Sequence, residues 1–87
     1  MDNGLRTEIK QAIVRSLRLP MQPADIADDV PLFGEGLGLD SIDALELVLE
    51  LERSFDVKIT DEQTGAAVLR TVNSIADYVT QVRRAAS

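Results

Sequence analysis

In the stretch GLGLDSIDALELVLELERSF, residues 36–55, one hydroxyl stands among carboxylates at the head of an apolar and acidic run. Ser41 follows Asp40 and is followed by Ile42 and Asp43. Two uses fit those residue types. Asp40 or Ser41 can cap a helix through a side-chain oxygen, with Asp43 as a first-turn acid that complements the dipole. A serine on a first turn is also exposed at a loop mouth, where the positive end of the dipole tolerates an attached phosphate. Gly34, Gly36 and Gly38 would then let a modifying enzyme come close to the backbone. The residues alone leave both uses open.

The chain cannot activate that hydroxyl itself. It has no His and no Cys, so a Ser–His–Asp arrangement, a cysteine nucleophile, thiolate metal sites and disulfides are all excluded. Carboxylate-only hydrolysis is chemically possible, but so small a bundle offers little room for a buried cleft. The acids do not fall at the loop spacing of an EF-hand. We therefore expect no enzyme and no metal site, and chemistry at Ser41 must come from a partner.

The element that positions Ser41 is a helix predicted over Ser41–Phe55. At about 100° per residue its side chains sort into three strips. Ala44, Leu47, Val48, Leu51 and Phe55 share the face assigned to the core. Asp43, Glu46, Glu50 and Arg53 fall opposite and are expected to be solvated. Ile42, Leu45 and Leu49 form a shoulder between the two. Either the core wraps round to cover that shoulder, or it is an exposed apolar strip edged with carboxylates, suited to a basic-rimmed groove.

Around it the chain reads as helices. Leu5, Ile9, Ala12, Ile13 and Leu17, with Val14, have helical spacing; Asp2 or Asn3 is available as cap, and Pro20 as the stop. Residues 19–40 hold three prolines and three glycines without a sustained period. Their apolar residues (Ile26, Val30, Leu32, Phe33, Leu37, Leu39) predict a connection packed on the bundle, with a helical turn near Asp25–Asp28. Asp61 or Thr60 caps a short helix near Glu62–Leu69, and Thr71 caps a last one carrying Val72, Ile75, Val79 and Val82. The expected fold is an all-α four-helix bundle, three longer helices and a short third, with a long connection between helices 1 and 2, forming one domain over residues 1–87.

Charge is uneven. Residues 25–62 hold twelve acids against Arg53 and Lys58, while the whole chain carries −6. An acidic middle repels nucleic acid and anionic membrane and favours basic protein surfaces. No apolar run is long enough to cross a bilayer and the polar start is no signal peptide, so a cytoplasmic monomer is expected.

The extended stretch LGLDSIDALELVLELERSFDVKI, with Thr71-Val72 and IADYV further on, resembles the acyl carrier proteins. The resemblance implies that Ser41 carries 4'-phosphopantetheine, moved from coenzyme A by a phosphopantetheinyl transferase with Mg²⁺ at the transferase site. The terminal thiol of that arm would hold acyl groups as thioesters, in fatty acid, polyketide or related lipid synthesis. It further implies that Asp40, Asp43, Glu46 and Glu52, with Glu50 counted among them, are acids that partner enzymes read, and that Ile42, Leu45 and Leu49 are the apolar positions they read. Those partners would be acyl-loading and ketosynthase-type enzymes with basic docking surfaces. Val48, Leu51, Ile59, Ala67 and Val68 would neighbour a sequestered acyl chain. Departures from the housekeeping fatty-acid type are Arg53 and Lys58 at usually acidic places, Ile42 for leucine, and a longer, less acidic third-helix region, EQTGAAVLRTV. They imply a specialised pathway. Peptidyl carriers usually have a GG before the serine dipeptide, which LGLDSI lacks; D-alanyl carriers share the serine.

Overall fold

Caps and apolar spacing resolve into four helices in the computed structural model, which describes residues 2–33 and 36–86. These are α1 (Asp2–Leu17), α2 (Ser41–Phe55), α3 (Glu62–Val68) and α4 (Val72–Ala86). The architecture is all-α, with a short third helix. Among the described residues, extended pairing is confined to one bridge between Phe33 and Leu39. No described helix is long and apolar enough to cross a membrane.

The helix ends have local causes. Asp61 accepts from the Thr64 N–H at 2.6 Å and starts α3. Thr71 Oγ1 accepts from Ser74 N–H at 3.1 Å while Ser74 Oγ accepts from Thr71 N–H at 2.9 Å, a reciprocal cap on α4. The side chains of Asp2 and Asn3, expected to cap α1, lie outside those described. The other end of α1 differs from expectation. Pro20 is not what stops it: Arg18 turns left-handed at φ 52, and Leu19 N–H reaches back to the Val14 carbonyl at 3.1 Å. That six-to-one bond closes the helix at Leu17, before the proline bears on it.

The core is the set of faces those helices turn inward. Ile9, Ala12 and Ile13 of α1 meet Leu47, Leu51 and Phe55 of α2, and Val72, Ile75, Ala76 and Val79 of α4 close the other side. Each large aliphatic buried this way contributes about 1.5–3 kcal/mol. Residues 19–40 pack on this core through buried Ile26, Leu32 and Leu39. The helical turn expected near Asp25–Asp28 lies earlier, as a single 3-10 turn at Pro23–Asp25.

The connection is also stitched to the α3–α4 turn. Leu32 N–H donates to the Arg70 carbonyl at 3.0 Å, Leu39 N–H to the Leu32 carbonyl at 3.2 Å, and Asn73 N–H to the Asp28 carbonyl at 3.0 Å. Two glycines have a structural task here. A β-carbon on Gly36 would stand 1.6 Å from the Pro31 carbonyl oxygen, and Gly38 has φ 72. They let the chain double back immediately before α2, which accounts for them without a visiting enzyme; Gly34 lies outside the described residues.

Candidate functional site

Asp40, not Ser41, caps α2. Its Oδ1 accepts from the N–H groups of Ile42 and Asp43, both at 3.0 Å, and Asp43 Oδ2 accepts from Asp40 N–H at 3.1 Å. The reciprocal bonds satisfy orphan donors at the helix start with two flanking acids. Ser41 is therefore spared the capping duty. It is the first residue of the helix, exposed, and its hydroxyl makes no hydrogen bond to any described residue.

Ser41 also stands on the wall of an open cavity of about 930 Å³. Ala44, Leu45 and Val48 continue that wall along α2. Ile59, Gly65, Ala66 and Leu69 face them from the α2–α3 loop and α3, and Asp29, Phe33, Arg70 and Thr71 stand round it. Of the five residues named for an acyl pocket, Val48 and Ile59 line the cavity. Leu51 and Val68 are buried in the core and Ala67 is exposed, and none of the three is on the wall. Sequence reasoning missed Ala44, Ala66 and Leu69. The run Gly65-Ala66-Ala67 inside a short helix was the available signal, since small residues leave room beside a helix.

The shoulder strip is solvent-exposed: Ile42 is 69% accessible, Leu45 61% and Leu49 54%. The core does not wrap round to it. Asp40 and Glu46 are exposed beside it and Asp43 is half-buried.

Glu50 requires a correction. Placed by angle on the solvated face, it is only 8% accessible. Arg15 of α1 donates to its Oε2 at 2.6 Å, Ser54 Oγ to the same oxygen at 2.9 Å, and Arg53 to Oε1 at 2.9 Å. Those donors, Arg15 foremost, hold the Glu50 carboxyl at about 2, well below its ordinary 4.5, against the opposing effect of burial. Glu50 is a helix–helix tie and is not presented to a visitor. Angular sorting of one helix cannot see that α1 covers a second face of it. Glu52 is likewise engaged, its Oε2 accepting from Ile59 N–H at 3.0 Å, which anchors the loop carrying Ile59 to the cavity wall.

An exposed serine at a helix start, beside an apolar cavity and an apolar–acidic strip, can receive a group and shelter part of it. Comparison with known proteins gives the family. The family model for the phosphopantetheine attachment site matches residues 7–79. An acyl carrier protein of Amoebophilus asiaticus (strain 5a2) is 36% identical over 75 residues, covering 84% of this chain and 90% of that protein. The chain belongs to the acyl carrier protein family. An acyl carrier protein of Sulfurovum sp. (strain NBC37-1) is similar too, 35% identical over 79 residues, 91% of this chain and 99% of that one. As an acyl carrier protein the chain is a carrier, not an enzyme, and its prosthetic group is 4'-phosphopantetheine. The site fits that group on its own geometry, with a free hydroxyl at the positive end of a helix dipole and a cavity beginning at the same residue.

Proposed function

We propose that Ser41 takes the 4'-phosphopantetheine arm, and that residues 1–87 act as one carrier domain delivering acyl intermediates to enzymes of fatty acid, polyketide or related lipid synthesis. The observation that carries this reading is the division of labour at the head of α2: Asp40 and Asp43 close the cap, leaving the Ser41 hydroxyl exposed on the cavity wall.

The roles of the chain's residues follow from position. Ser41 Oγ must lose its proton as it bonds to the phosphorus of coenzyme A and the pyrophosphate P–O bond breaks to release adenosine 3',5'-bisphosphate, and the neighbouring carboxylates of Asp40 and Asp43 are engaged by backbone N–H groups. The base therefore belongs to the phosphopantetheinyl transferase. Once attached, the arm supplies a terminal thiol that holds acyl groups as thioesters. Ala44, Val48, Ile59, Ala66 and Leu69 give the acyl chain an apolar wall that excludes water. Ile42, Leu45 and Leu49, with Asp40, Asp43 and Glu46, are the surface that a transferase and the biosynthetic enzymes read. Arg53, Lys58, Ile42 and the longer, less acidic third-helix region support a specialised pathway rather than primary fatty acid synthesis.

Intact-mass analysis after incubation with coenzyme A and broad-specificity transferases tests the site. The wild type should gain one phosphopantetheine mass and Ser41→Ala none. Modification persisting in the Ala variant, or an unmodified wild type across several transferases, defeats the assignment.

A further inference from the structure

The network behind Leu49 carries a surplus of positive charge. Glu50 is shared by Arg15 and Arg53, so one carboxylate faces two guanidiniums, whose side chains are 63% and 77% accessible. Arg18 and Arg53 stand on the walls of a groove of about 490 Å³ between the end of α1 and the second half of α2, which Leu49, Glu46 and Glu50 also line, with Arg15 bonded to Glu50 beside it. Arg18 makes no hydrogen bond or ion pair with any described residue. Its backbone is nonetheless left-handed at φ 52, where a β-carbon is disfavoured and glycine is the ordinary choice. The left-handed turn serves to close α1, and the exposed side chain it carries, unbonded to any described residue, is open to a partner.

The other end of the same helix has the opposite sign. Asp40 and Asp43 flank Ser41 at the first turn, and Ser41 and Arg53 stand about 18 Å apart along the axis at the helical rise. The exposed strip Ile42–Leu45–Leu49 runs from the acidic end toward the basic one. A protein laid on that strip meets carboxylates beside Ser41 and guanidiniums beyond Leu49.

We propose that the groove walled by Arg18, Arg53 and Leu49 receives an aspartate or glutamate side chain of the partner enzyme, beside an apolar residue that covers Leu49. The partner's docking face then carries both signs: basic opposite Asp40 and Asp43, acidic opposite Arg18 and Arg53. The inference rests on the reading of Ser41 as the attachment site. Two-sign pairing fixes the direction in which the carrier lies on its partner. It also disfavours enzymes with a uniformly basic face, whose cations would meet Arg18 and Arg53.

The test uses ketosynthases: those encoded in the genome that carries this chain, and one from elsewhere with a uniformly basic docking face. Wild type, Arg18→Glu and Arg18→Gly are loaded with a pantetheine analogue ending in a thiol-reactive group, and loading at Ser41 is verified by mass. Initial cross-linking rates are then compared. With at least one ketosynthase of its own genome, Arg18→Glu should cross-link about fivefold or more slowly than wild type. With the uniformly basic enzyme it should cross-link no more slowly. Arg18→Gly separates docking from folding, because glycine relieves the left-handed backbone: its melting temperature should rise while its cross-linking to the same partner slows. Both variants cross-linking at the wild-type rate with every ketosynthase would overturn the docking inference alone. A wild type that cannot be loaded at Ser41 removes the attachment reading, and this inference with it.

Discussion

Asp40 and Asp43 close on each other across the head of α2, each carboxylate accepting from the other's backbone N–H at 3.0–3.1 Å, with Ser41 between them and unbonded to any described residue. Cap and site thus occupy adjacent residues and can be separated by mutation. Asp40→Ala removes the cap and should cost about 1 kcal/mol of folding stability. Asp40→Asn keeps an accepting oxygen and removes only the charge. Its stability should stay within about 0.5 kcal/mol of wild type, while transferase kcat/KM at Ser41 falls if the enzyme reads the charge. Chemical denaturation and a phosphopantetheinylation assay on the three proteins would show whether the two quantities part.

The Arg15–Glu50 tie makes stability depend on pH in a defined window. The Glu50 carboxyl lies at about 2 in the folded chain against an ordinary 4.5. A carboxyl with a lowered folded-state value stabilises the fold above the unfolded value and loses that contribution as pH falls toward the folded one. Arg15 and Arg53 are largely open to solvent, which screens the interaction. Glu50→Gln should therefore cost about 1–2 kcal/mol at pH 7, and its deficit should shrink as pH falls from about 4.5 to about 2. A deficit constant across that range in urea melts would place the effect elsewhere.

Gly65 controls the space opposite Val48. A β-carbon there would meet Ile59 Cγ2 at 3.4 Å, an ordinary contact. Gly65→Ala should consequently fold well and gain up to about 1 kcal/mol from helix propensity. Gly65→Leu projects further into the cavity. It should shorten the longest acyl chain protected from thioester hydrolysis, read by timed chromatography of loaded protein, without changing modification of Ser41. Equal protection of long chains in the Leu variant would remove the cavity from the proposed carrier role.

Several features were legible before any fold was known because their causes are local. The bounds of α2 follow from a cap and an apolar run. The starts of α3 and α4 follow from Asp61 and Thr71, whose bonds reach only three residues ahead. The exposed strip followed from the angular spacing of Ile42, Leu45 and Leu49, although the pattern could not say whether a neighbour covered it. The end of α1 was misread because a proline two residues on is conspicuous, whereas a left-handed arginine has no sequence signature.

By itself the sequence determined that this chain folds as helices, that Ser41 heads an acidic and apolar one, and that the chain cannot do chemistry on that serine unaided. These are properties of residue type, period and short-range capping. Only the tertiary structure decided that Glu50 is a tie rather than a docking acid, and which small residues of α3 face Val48. It also set Arg18 beside Arg53. Arg15 and Glu50 are 35 residues apart in the chain, and such meetings depend on how helices cross, which no single helix encodes.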